Sequence, residues 1–110
     1  MNERLLQYIW QFRYFKLDSL QTQQGEPLAV LNTGQLNVNQ GPDFLDAKIK
    51  VGGTVWAGNI ELHINSSDWK KHKHGGDENY KNIILHVVWN DDVKLGASFP
   101  VLELKQRVSK

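Results

Sequence analysis

A chain of 110 residues that is 40% apolar, with four Trp, three Tyr and four Phe, can build one hydrophobic core and is too short for two ordinary domains. Its 13 basic and 12 acidic side chains leave a formal charge of +1, which excludes a global electrostatic attraction to DNA or anionic lipid. With no Cys, a disulfide scaffold, a thiolate zinc site and a Cys nucleophile are excluded as well.

No run approaches the ~18 consecutive apolar residues of a membrane span. Arg4, Gln7, Gln11, Arg13 and Lys16 interrupt the N-terminal stretch that a secretory signal would need. A cytoplasmic protein with no membrane partner is the expectation, in a single domain over residues 1–110. Residues 2–15 place Leu5, Ile9 and Phe12 on one helical stripe and Leu6, Trp10 and Tyr14 beside it. Arg4, Gln7 and Gln11 form the narrow polar side. A helix this apolar must pack on a sheet or on a second copy, so a homodimer through the first helix is one expectation.

A polar connection ends at Pro27, and Leu28 to Val38 reads as strand with a bend at Gly34. After Gly41-Pro42 the alternation is clean, with Leu45, Ala47, Ile49 and Val51 on one face and Asp46, Lys48 and Lys50 on the other. Gly52-Gly53 predicts a tight turn into a return strand over 54–65. Ser66-Ser67-Asp68 offers helix-capping side chains before a short helix that Gly75-Gly76 ends. Tyr80 to Trp89 suits a strand covered on both faces, and Pro100 to Lys105 supplies an edge strand. The expected fold is α+β: a helix, a three-stranded meander, a short helix, then strands, in a mixed sheet.

Chemistry-bearing side chains fall at the mouth of the meander. Asp43 precedes one strand, while Glu61 and His63 leave the same face of the next because they lie two apart. Two carboxylates on neighbouring strands suit Mg²⁺ or Mn²⁺, which would offset the cost of burying both charges. His63 beside them could position or deprotonate a water for attack on a phosphodiester. Register decides the matter. If Val51 pairs with Thr54, Asp43 falls opposite Leu62 and faces away from Glu61. One extra residue on the return strand restores the parity, and Gly58 is the expected place for that bulge.

Pro42-Asp43 and Glu61-Leu62-His63 resemble the motif of the PD-(D/E)XK nuclease superfamily, whose core runs helix, three strands, helix, strand. The resemblance implies a metal-dependent nuclease with Asp43, Glu61 and His63 as its catalytic residues and nucleic acid as its partner. It departs from that pattern at His63, which stands where the superfamily carries a lysine and supplies no permanent charge. Across GPDFLDAKI at 41–49, WAGNIELHI at 56–64, SSDWKKHKH at 66–74 and NIILHVVWNDD at 82–92, the chain also resembles the N-terminal part of a bacterial family known only as a domain of unknown function, common in Bacteroidetes. Members of that family look longer than 110 residues, so the resemblance implies either the N-terminal part of a longer protein or a short homologue.

Lys70, Lys71 and Lys73 form a local basic rim that could hold a nucleic-acid backbone, and Tyr80 could stack on a base. The plainer reading of that run is a solvated surface. His63, His72, His74 and His86 are an alternative zinc set, although His72 and His74 cannot share a helix face. His86 within IILHVVW reads first as a buried, hydrogen-bonded core residue. Asp68 could cap the short helix or support a histidine, and Glu3 could add a further carboxylate from the first helix. The rival to catalysis is an interaction or oligomerisation module of the same fold, in which Asp43 caps a turn and Glu61 and His63 lie on a solvated sheet face.

Overall fold

The apolar N-terminal stripe folds as α1 (Glu3–Gln11) in the computed structural model, which describes residues 1–71, 82–96 and 98–109. Asn2 caps the helix, its side-chain oxygen accepting the Leu5 N–H at 2.8 Å. Leu6, Ile9 and Trp10 are buried, and the indole N–H of Trp10 donates to the Thr33 carbonyl at 3.0 Å. The helix ends at Gln11, earlier than the apolar pattern predicts. Arg13 takes φ 56°, and the N–H groups of Arg13 and Tyr14 return to the carbonyls of Trp10 and Ile9 at 3.1 and 2.9 Å. This is a Schellman cap with Arg where Gly usually stands. Phe15 is then buried against Trp10 through the turn, not through the helix. Leu5, Tyr8, Phe12 and Tyr14 remain exposed, contrary to the broad core face expected for this segment.

The strand expected over 28–38 is divided into β1 (Leu28–Asn32) and β2 (Gln35–Leu36). Gly34 lies between them at φ +89°, where a Cβ would come within 2.7 Å of the Leu45 carbonyl oxygen. Both pair antiparallel with β3 (Phe44–Val51), which continues through the turn at Gly52 (φ +59°) into β4 (Thr54–Asn65). The Val51↔Thr54 pairing is the one the glycine turn predicts. A short α2 (Asp68–Lys71) follows, then β5 (Ile83–Asn90) and β6 (Val101–Glu103), each parallel to the strand before it.

The sheet order is β1-β3-β4-β5-β6, with β2 also on β3, so the sheet is mixed, and β1 and β6 lie at its two ends. Residues 84–88 of β5 are all buried, as its unbroken apolar run requires. Ile60, Leu62, Leu85 and Val87 join Leu6, Ile9 and Trp10 in one core, each large side chain contributing about 1.5–3 kcal/mol. Among the described residues, no helix is long and apolar enough to cross a membrane.

Candidate active site

Ala47, Ile49 and Val51 alternate inward against exposed Lys48 and Lys50, but the alternation breaks at Leu45 and Asp46. Ala47 pairs with Gly58, whereas Phe44 pairs with Ile60. Two residues of β3 therefore face one residue of β4, which is a bulge. The expected distortion exists, and it lies on the other strand from the one predicted. It moves Asp43 from the level of Leu62 to that of Glu61, so both carboxyls reach the same face. Asp46 sits at the bulge with φ 58°, a conformation Asp tolerates better than most residues, and its N–H donates to Asn59 Oδ1 at 3.2 Å. Gly58 has a different role. A Cβ there would come within 2.5 Å of the Asn82 carbonyl oxygen, so the missing side chain lets β5 begin against β4.

Asp43 is half-buried and held from two directions. Oδ1 accepts the Gln7 side-chain N–H at 2.8 Å, and Oδ2 accepts the Leu62 N–H at 2.9 Å. Glu61, only 4% exposed, hydrogen-bonds to Asp43 through both that residue's carboxyl and its backbone N–H. Burial above all, then the shared hydrogen bond and the charge of Asp43, push the Glu61 carboxyl up to about 10; Glu3 adds to the rise and the Asp43 N–H opposes it. At neutral pH Glu61 thus keeps its proton.

His63 is 1% exposed, and its Nε2 lies 3.4 Å from Glu61 Oε2. With Glu61 protonated, this is not an ion pair. The other ring nitrogen, Nδ1, is 2.8 Å from Nε2 of His86, which is fully buried. Parallel pairing sets Glu61 beside His86 and His63 beside Val88, so Glu61, His63 and His86 share one face of the sheet. Trp69 and Phe99 cover the two imidazoles, with ring centroids 4.7 Å from each other and 5.1 to 6.1 Å from the histidine rings they touch.

The structure therefore brings Asp43, Glu61, His63 and His86 together. The burial of Glu61 and His63 corrects the alternative in which they lie on a solvated face. Lys70 is exposed on α2, next in sequence to Trp69. The main chain of Lys71 closes α2, while its side chain and all of His72, Lys73, His74 and Tyr80 lie outside the described residues. Ser66 and Ser67 do not spend their hydroxyls on helix capping. They donate to Asp92 at 3.0 and 2.7 Å, and these bonds, with the Ser67 N–H, hold the Asp92 carboxyl down to about 2. Asp68 accepts the Asn65 N–H at 3.1 Å. Ile9 and Trp10 are core residues and cannot serve an intermolecular face.

Gln7 and Phe99 were not anticipated. Gln7 had a signal, since it follows Glu3 by four residues and so shares its helix face; Phe99, in a connection, had none. Among the described residues, no three His, Asp or Glu side chains converge on a metal-sized space. Mg²⁺, however, needs only one or two protein carboxylates and takes water and phosphate oxygens for the rest. The Asp43–Glu61 pair fits that donor set, whereas His63 Nδ1 and His86 Nε2 point at each other and not at a shared third atom.

No curated protein and no solved structure matches the chain. A family model does, across residues 3–110, and its description is "Protein of unknown function (DUF2851)". With nearly the whole chain matched, the protein belongs to the DUF2851 family.

Proposed function

We propose that the domain is a metal-dependent phosphodiesterase of PD-(D/E)XK type acting on nucleic acid, with Mg²⁺ or Mn²⁺ held by Asp43 and Glu61. The observation that carries this reading is the bulge at Leu45–Asp46, which turns two carboxyls from adjacent strands onto one proton. A bound dication supplies positive charge in that proton's place and stabilises the charge that develops on the phosphate. Gln7 and the Leu62 N–H fix the Asp43 carboxylate, so its orientation does not depend on the ligand. His63 orients the attacking water through Nε2, a role open to an imidazole near neutral pH. Lys70, with Lys71 and Lys73 of the same run, steadies the nucleic-acid backbone.

Calorimetric titration of Mn²⁺ into the wild type and Asp43→Ala tests the reading directly. The wild type should bind with release of about one proton, seen as a heat that varies with buffer ionisation, and Asp43→Ala should not bind. Cleavage of single- and double-stranded DNA and RNA should then require the metal and disappear in both Asp43→Ala and Glu61→Gln. Wild-type protein that neither binds Mn²⁺ nor cleaves would sink the proposal.

A second reading rests on the outer face of α1. Tyr8, Phe12 and Tyr14 are each more than half exposed, with ring centroids 4.8 to 6.0 Å apart, beside exposed Leu5. Such a patch favours an interaction module or a homodimer through the first helix. Light scattering on the wild type and Phe12→Ser distinguishes them: a dimer that dissociates in the variant supports the module.

A further inference from the structure

We infer that His86 is a positioning residue that fixes the tautomer and ring orientation of His63, and so decides which His63 nitrogen faces the Asp43–Glu61 pair. The inference rests on the proposed function for its catalytic meaning, but its structural content stands on two contacts and on burial. His86 Nε2 is 2.8 Å from His63 Nδ1, with the rings near perpendicular at 85°. His63 Nε2 faces Glu61 Oε2 at 3.4 Å. Both rings are at most 1% exposed, so bulk water does not compete for these contacts.

Two neutral imidazoles that meet nitrogen to nitrogen must divide the roles, one donating and one accepting. If His63 donated from Nδ1, its Nε2 would be a lone pair directed at the carboxyl oxygen of Glu61, whose one proton is already engaged by Asp43. If His86 donates instead, His63 Nδ1 accepts and Nε2 carries the proton toward Glu61. The second arrangement gives every close contact a donor and an acceptor. It also leaves the His63 ring anchored from behind, through β5. Trp69 and Phe99 then hold the two rings against sideways rotation. A metal-site histidine is also commonly oriented through its second nitrogen, but there as the donor, whereas His63 Nδ1 accepts. Here the orienting group is a second imidazole, where a carboxylate or a carbonyl is usual.

The test is nitrogen-detected NMR on histidine-labelled full chain without metal, with His63 and His86 assigned by single replacement. The wild type should show a protonated Nε2 and an unprotonated Nδ1 on His63, with Nε2 of His86 protonated. His86→Phe keeps a ring in the core but removes the donor, whereas His86→Gln can place an amide N–H where Nε2 stands. His86→Phe should lose the single His63 tautomer and lower Mn²⁺ affinity or cleavage about 10- to 100-fold. His86→Gln should restore both. Circular dichroism melts confirm that each variant is folded; should His86→Phe not fold, the wild-type and His86→Gln spectra decide alone. A His63 protonated on Nδ1 in the wild type, or a tautomer unchanged in folded His86→Phe, overturns the inference. If the tautomer behaves as expected in a protein that does not cleave, the positioning role stands and the phosphodiesterase reading falls.

Discussion

The two ends of the β3–β4 hairpin are made by the same pair of strands and have opposite characters. At the turn, Val51↔Thr54 to Ala47↔Gly58 run in regular register, with Lys48, Lys50, Val55 and Trp56 in solvent. At the far end, one extra residue in β3 breaks the ladder, and three polar side chains are brought to within hydrogen-bonding or near-contact distance in a covered space. The regular end needs only alternation and a glycine turn. The irregular end needs the bulge at Leu45–Asp46, the glycine at 58 and a covering of aromatic rings, each of which costs regular pairing or freedom elsewhere. Polar groups gathered where the ladder is broken are what a functional site looks like when the scaffold around it is ordinary.

Substitutions can sharpen that contrast, and the largest effect belongs to the residue that anchors the bulge. Phe44 is fully buried at the last regular pair before the site, so Phe44→Ala should destabilise the fold by about 3–5 kcal/mol in urea unfolding. Next comes the pH response of Glu61. Its folded value of about 10 stands above the ordinary 4.5, so the folded state keeps a proton that the unfolded chain releases. The stability this gives is fully present below about 4.5 and is lost as pH rises through about 10. The slope is at most about 1.4 kcal/mol per pH unit. Glu61→Gln cannot release a proton, so urea midpoints measured from pH 5 to 9 should fall more steeply in the wild type than in the variant. Equal slopes would show that Glu61 does not hold its proton in the fold.

Gly58→Ala is expected to cost about 1–3 kcal/mol, because its Cβ would press on the Asn82 carbonyl and the Ile84 side chain. Thermal unfolding reads that loss, and an unchanged midpoint would mean β5 can give way without cost. Lys50→Ser at the regular end should move stability by no more than about 0.5 kcal/mol, since that side chain is exposed. A large loss there would erase the distinction between the two ends.

The hairpin was legible because Gly52-Gly53 and the Ala47-Ile49-Val51 alternation each specify register without help from the rest of the chain. The need for a bulge was legible too, since Asp43 and Glu61 could not otherwise share a face. Its strand was not. Glycine at 58 suggested the wrong side, because the same missing Cβ serves a close approach from β5, a contact between segments far apart in sequence. The end of α1 was hidden for a related reason: the left-handed residue of its cap is Arg13, and nothing local marks Arg as a stop. His86 was read correctly as buried, but its partner was set by the parallel pairing of β4 and β5, which spacing alone does not reveal.

The parallel pairing of β4 with β5 has a consequence for the order of assembly. A hairpin joined by two residues closes over a short loop, whereas β5 must return across the chain that follows Asn65 before it can lie beside β4. Glu61 and His63 are therefore laid down on an early element and stay hydrated until His86 arrives with a later one. The loss of water from the polar cluster is then coupled to the final docking of β5, and the amide protons of Val51 and Thr54 should gain protection in pulse-labelled refolding before those of Leu85 to Val87.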